Sequence, residues 1–234
     1  MQAPGSSIKV CVLISGNGSN LQALIDARDE KRINIDIVSV ISNQADARGL
    51  ERATSAGIPA SILRHQNFAD RNTFDRALSV MISTGNPDLV ILAGFMRIIG
   101  RGALDPFTGR MINLHPSLLP LYRGTDTYQR ALDAGDQEYG ASIHFVTSEL
   151  DGGPVLSQVR VPITAGDDKN ILAARLAPVE HRLLVATIDF FTRHRVESGE
   201  GEISVDGSSL LHPLQLLGDS LSSVPPTRTG GKCS

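Results

Sequence analysis

The chain has 234 residues, 41% of them apolar, with a formal net charge of -3, no tryptophan and only 4% aromatic residues. That length suits one large domain or two small ones, with enough apolar residues for a packed core. The charge gives no reason to expect nucleic acid or an anionic membrane as partner, the few aromatics argue against stacking on single strands, and no apolar run approaches the roughly 20 residues needed to span a bilayer.

The first residues, MQAPGSSIKV, lack the basic segment and apolar stretch of a secretory signal. Residues 8–14, IKVCVLI, form a continuous apolar run, the pattern of a strand buried on both faces. It ends in Ser15-Gly-Asn-Gly-Ser-Asn20, after which residues 21–29 read as a helix with Leu21, Leu24 and Ile25 on one stripe. A second strand is expected at 35–41, a helix at 46–55 stopped by Gly57 and Pro59, and a short strand at 60–63. Residues 71–83 read as a helix with Phe74, Leu78, Met81 and Ile82 as its apolar stripe, and 88–92 as another buried strand. This alternation predicts an α/β fold, a parallel sheet with helices on both faces.

The pattern changes near residue 110. A strand is expected at 111–114, then a long loop to Tyr122 and a short helix near 128–133. Residues 139–146 and 155–163 read as strands joined in a hairpin, and 171–194 as a long helix interrupted by Pro178, at a cost of roughly 3 kcal/mol or a kink. Residues 202–205 and 210–211 flank Asp206-Gly207, a hairpin turn. From Gly218 onward Ser, Pro, Thr and Gly dominate, and a disordered tail is expected over 218–234. No internal repeat or linker divides the remainder, so 1–217 reads as a single domain. Cys11 and Cys233 lie far apart, so neither a disulfide nor a zinc site is expected. A cytoplasmic location follows as the expectation.

Three places carry chemistry. The 15–20 loop is a glycine-rich turn between a first strand and a helix, where an anion can sit on backbone N–H groups and the positive helix end. A dinucleotide fingerprint would need glycine at 21, where leucine stands, and no Walker lysine follows. The loop therefore suits one phosphate; a plain tight turn is the alternative. Asn113 and His115, two apart at a strand end, share one face. They serve either as a hydrogen-bonded strand end or as donors to an oxygen that becomes negative in a tetrahedral transition state. Asp151, in Glu149-Leu-Asp-Gly-Gly-Pro154, is either a local turn former or a carboxylate able to raise a nearby imidazole pKa and take a proton. No nucleophile elbow and no histidine–cysteine spacing for a metal is present in the sequence. His65, His144, His181 and His194 receive no role, except that His181 follows Glu180.

Taken together, VLISGNGSNLQALID, ILAGFMRII, INLHPSLLP and SIHFVTSELDGGPVLSQ resemble the folate-dependent glycinamide ribonucleotide transformylases, over about residues 8 to 191. The resemblance implies a Rossmann-like formyltransferase fold, mostly parallel with an antiparallel C-terminal portion. It implies a nucleotide-phosphate half at about 8–100 and a folate and catalytic half at about 101–217. It implies formyl transfer from 10-formyltetrahydrofolate, as co-substrate, to the glycine amine of the ribonucleotide in purine synthesis, with no metal, small molecules as the partners and no covalent enzyme intermediate. Asn113, His115 and Asp151 match the family's catalytic trio. Gly18, Ser19 and Asn20 match its phosphate loop, and Glu180 an acidic residue at the glycinamide end. Met96, Arg97, Ile98 and Ile99 match the segment against the folate, Arg71 an arginine near it, and Thr147, Ser148, Glu149, Leu150 and Asp151 the folate loop, with Asn113 also touching the folate.

The chain departs from the family at Arg123, Thr125 and Asp126, and at Ala177 and Pro178 before Glu180. Those changes bear on the outer edge of the nucleotide site. Methionyl-tRNA formyltransferases and formyltetrahydrofolate hydrolases share the trio, but the first add an RNA-binding domain and the second an N-terminal regulatory domain, and neither is expected here. A nucleotide-binding module without catalysis is the reading from another class. Oligomeric state is not legible.

Overall fold

The structure, a computed structural model, describes residues 7–199 and 201–223. Its centre is β1 (Ile8–Ile14), whose continuous apolar run has a simple cause: both faces are covered. Val10, Val12 and Ile14 join a core with Leu21 and Leu24 of α1 (Ser19–Asp29) and Leu172, Leu176 and Leu183 of α6 (Lys169–Arg193). Cys11 and Leu13 join the other core, with Phe74, Leu78 and Ile82 of α3 (Arg71–Ser83). Alternation along one strand thus feeds two cores.

Around β1 lie β2 (Ile35–Ser42), β3 (Ala60–Ile62), β4 (Leu89–Leu92), β5 (Met111–His115), β6 (Glu138–Phe145), β7 (Val155–Pro162), β11 (Leu214–Leu217) and β12 (Ser220–Ser222). They form one nine-stranded sheet in the order β12-β11-β7-β6-β5-β4-β1-β2-β3. From β3 to β5 every pair is parallel. β5–β6 and β6–β7 are antiparallel, so the expected change of pattern is observed, and the sheet runs unbroken through both expected halves. Helices α2 (Arg48–Ser55), α4 (Arg101–Leu104) and α5 (Thr127–Ala134) complete the layers.

Start signals are visible where helices are well set. Asp70 accepts from Thr73 N and Thr73 answers to the Asp70 backbone, a capping box that opens α3. Asp168 caps α6 by accepting from Asn170 N and Ile171 N. α6 runs through Pro178. Pro178 and Ala174, whose carbonyl loses its helical partner, both lie on the exposed face of the helix.

The C-terminal region differs from expectation. β8 (Val196–Gly199), β9 (Glu202–Val205) and β10 (Ser208–Ser209) form a separate antiparallel sheet. Asp206 and Gly207 make the expected turn with φ of 52° and 83°, but this two-residue turn places the returning arm at Ser208–Ser209 rather than 210–211. β11 pairs parallel to β7, and β12 pairs antiparallel to β11. The disordered tail expected from Gly218 is therefore corrected: Ser220–Ser222 is a strand, held by backbone bonds that composition does not reveal. The rest of that expectation, from residue 224, lies outside the described residues.

Candidate active site

In an open α/β sheet ligands bind beyond the carboxyl ends of strands, where the strand order reverses. Here that point lies between β1 and β4, because the chain proceeds from β1 to β2 on one side and from β4 to β5 on the other. One hydroxyl ties the crevice together. Ser15 Oγ donates to Asn43 Oδ1 at 2.5 Å and accepts from Met96 N at 2.7 Å, joining the ends of β1, β2 and β4.

Gly18 stands before α1 in the left-handed region, φ 70°, with no side-chain cap on the helix. The first-turn N–H groups of α1 are thus uncapped by any side chain, as an anion site requires. Glycine at 18 also has a purely structural cause: a Cβ there would lie 2.6 Å from Gly49 Cα. Gly49 N donates to Gly16 O at 3.1 Å, so α2 packs directly on the loop. Ser19 opens α1, and Asn20 Oδ1 is buried without a hydrogen-bond partner.

The second wall is built on β5. Ile112 and Leu114 point into the α1–α6 core, so Asn113 and His115 share the opposite face as expected. Asn113 lies opposite His144 of β6, and directly opposed residues of an antiparallel pair share a face. Asn113 Nδ2 donates to His144 Nε2 at 3.1 Å. His144 Nδ1 donates to the Phe145 carbonyl at 2.9 Å, which fixes the ring against β6.

Asp151 reaches this group from the 147–153 loop, with a left-handed backbone at φ 48°. Its Oδ2 accepts from Gly124 N at 2.8 Å and lies 3.5 Å from His115 Nδ1; its Oδ1 lies 3.6 Å from His144 Nε2. His115 Nε2 donates to the Tyr122 carbonyl at 3.0 Å. The structure therefore brings Asn113, His115 and Asp151 together, and adds His144.

Electrostatics qualify the expectation that Asp151 keeps His115 charged. Burial lowers the His115 pKa from its ordinary value and outweighs the upward pull of the Tyr122 carbonyl and Asp151. Asp151 shows the opposite balance: burial pushes its pKa up, but His144, the Gly124 N–H and His115 hold it below the usual carboxylate range. The pair consists of an ionised acid beside an imidazole that is reluctant to charge.

The segment expected to face folate follows β4 at the same end of the sheet, with Met96 N on Ser15 Oγ. Met96 is 76% and Ile98 56% exposed, whereas Ile99 is buried. Arg97 lies over the Phe74 ring and Arg71 Nη2 donates to Ile98 O at 3.1 Å. In the 147–151 loop Thr147 Oγ1 donates to Glu149 O, and Ser148, Glu149 and Leu150 are exposed. Arg123, one of the departures, pairs with Glu149. Asp126, another, opens α5 in a left-handed conformation.

Glu180 stands apart. Among the described residues it has no hydrogen bond to the Asn113–His115–Asp151 group. Burial raises its pKa to about 7, and it acts electrostatically on Tyr128 and Tyr139. The Tyr139 hydroxyl donates to Pro116 O, the carbonyl next to His115 in sequence. His181 is partly buried, and its pKa is lowered by that burial.

Sequence reasoning assigned nothing to His144 or to the backbone of Tyr122 and Gly124, and took Ser15 only as the first residue of the 15–20 loop. The signal for His144 lay in the pairing of two strands separated by α5: aligning 111–115 antiparallel to 138–145 places an imidazole beside Asn113. Among the described residues no group of three His, Cys, Asp or Glu is arranged to hold a metal, and no helix is long and apolar enough to cross a membrane.

The formyl transferase family matches residues 8–188. Over 203 residues the chain is 46% identical to a phosphoribosylglycinamide formyltransferase of Escherichia coli K12, covering 87% of this chain and 96% of that protein. It is 39% identical over 192 residues to the human trifunctional purine biosynthetic protein adenosine-3, covering 82% of this chain and 19% of that one. Among solved structures, a phosphoribosylglycinamide formyltransferase from Coxiella burnetii superposes with a TM-score of 0.82 at 43% identity, covering 87% and 96% of the two chains. A formyltetrahydrofolate deformylase from Pseudomonas syringae superposes with a TM-score of 0.79 at 25% identity, covering 86% and 67%.

Proposed function

The chain belongs to the formyl transferase family, and on that premise we propose that it transfers the formyl group of 10-formyltetrahydrofolate to the glycine amine of 5-phosphoribosylglycinamide, a step of purine biosynthesis. The observation that carries this reading is the convergence of Asn113, His115, His144 and ionised Asp151 at the end of β5, beside an uncapped helix N-terminus suited to one phosphate.

The amine attacks the formyl carbon, a C–N bond forms, and the carbonyl oxygen becomes an oxyanion. Asn113 Nδ2 has two hydrogens. His144 engages one and fixes the amide, leaving the other for the formyl oxygen. His115 Nδ1 and Asp151 face each other across 3.5 Å, too far for a direct hydrogen bond and wide enough to share a proton with substrate or water. Asp151 takes the proton lost by the amine. A developing oxyanion raises the His115 pKa, so the imidazole gains its charge as the transition state forms. Collapse breaks the bond to the folate nitrogen, which leaves with a proton relayed through His115. Gly18, Ser19 and Asn20 receive the nucleotide phosphate, Glu180 the glycinamide side, and Arg71 with Met96, Arg97, Ile98, Ile99 and the 147–151 loop the folate.

The test is a folate absorbance assay with phosphoribosylglycinamide added and withheld. Turnover that requires both substrates supports the transfer. Turnover without the nucleotide supports the deformylase activity named for the Pseudomonas syringae relative, and none with either supports a binding module.

A further inference from the structure

Asp75 is a buried carboxylate that the proposed chemistry does not use. It lies in the first part of α3, is 2% exposed, and its Oδ1 is buried with no hydrogen-bond partner. A buried charge is costly unless it is paired. Arg71, one turn earlier, lies beside it with Nε 3.7 Å from Oδ2. Arg71 in turn donates from Nη2 to Ile98 O. Phe74, on the same helix face, carries the Arg97 guanidinium 5.4 Å from its ring centre. The first turns of α3 thus hold the 97–100 segment at three successive points: Phe74 under Arg97, Arg71 on Ile98, and Asp75 against Gly100.

Gly100 supplies an independent sign that the carboxylate's place matters. Its backbone, φ -90° and ψ 168°, is open to any residue. Yet a Cβ at 100 would lie 1.9 Å from Asp75 Oδ2. The glycine makes room for the carboxylate and answers no backbone strain.

We propose that Asp75 is a positioning residue for folate: it holds Arg71 in place, and through the Arg71–Ile98 bond it sets the exposed wall formed by Met96 and Ile98. The inference rests on the folate reading of that wall. Asp75→Asn keeps the side chain's shape and exchanges the carboxylate oxygen that faces Arg71 for an amide.

Asp75→Asn raises KM for 10-formyltetrahydrofolate about 10-fold while kcat and the nucleotide KM stay within about twofold. Amide hydrogen exchange across 96–99 accelerates without any ligand. In an Arg71→Ala background the same substitution adds nothing further. Gly100→Ala, which displaces the carboxylate from the opposite side, reproduces the rise in folate KM. An unchanged folate KM, an equal rise in both KM values, or full additivity with Arg71→Ala overturns the inference. A wild-type protein that turns over neither substrate counts against the transfer reading, and the exchange of 96–99 in Asp75→Asn still decides whether Asp75 holds that segment.

Discussion

The two walls of the crevice are built on different principles. The β1–α1 wall works mainly through backbone: a left-handed Gly18, a helix end without a side-chain cap, and a close approach to Gly49, with the Ser19 side chain added at the first helical position. The β5–β6 wall works through side chains whose ionisation is set by burial and by one another. The difference suits the two tasks proposed for them. A phosphate keeps its charge throughout, so fixed dipoles suffice. A formyl group becomes an oxyanion only in the transition state, so the responding groups must be able to take and give protons. Substitutions should therefore separate the walls, the first acting on binding and the second on rate.

The largest effect is expected at Asn113. Asn113→Ala lowers the single-turnover rate by on the order of 100-fold or more, the usual result of deleting an oxyanion donor, while folate binding changes little. A rate equal to wild type would show that Asn113 only ties β5 to His144.

Next is the His115–Asp151 pair. Asp151 pulls the His115 pKa upward against burial, so Asp151→Asn should lower it further, as an NMR titration of the imidazole would register. The single-turnover rate falls by about 10-fold or more, and the loss combined with His115→Ala is less than the sum of the two, since the residues act as a unit. Additive losses with an unmoved pKa would mean that the two groups work separately.

The β1–α1 wall should respond more weakly. Gly18→Val is a poor probe, because the clash with Gly49 disturbs the loop whatever binds there. Ser19→Ala avoids that clash. Loss of one hydrogen bond of about 1 kcal/mol raises the nucleotide KM roughly fivefold and leaves the folate KM alone. Equal changes in both constants would remove the phosphate from this wall.

The last comparison is read in stability, apart from the glycinamide contact proposed for Glu180. Its folded pKa, about 7, lies above the ordinary 4.5, so its contribution is full below pH 4.5 and is lost as pH rises through 7. Glu180→Gln should therefore raise the melting temperature by roughly 2–4 °C at pH 8 and leave it unchanged near pH 4, by calorimetry. A gain of equal size at both pH values would point to packing instead of charge.

Local pattern alone determined much of this protein. The apolar run of β1, the Asp70-capped α3 and the alternation that sets Asn113 beside His115 are properties of short segments, and period and capping chemistry suffice to read them. The four motifs carried the family, and with it Asp151 as the third member of the group. What tertiary structure decided is what depends on distant segments meeting. His144 reaches Asn113 only through the β5–β6 register, and Asp151 is held by a backbone N–H from Gly124 in another loop. Ser220–Ser222 becomes a strand because β11 offers it an edge, though its composition reads as tail. The proton balance at His115 belongs to the same class. A neighbouring carboxylate suggests a charged imidazole, but burial, which belongs to the whole fold, lowers its pKa.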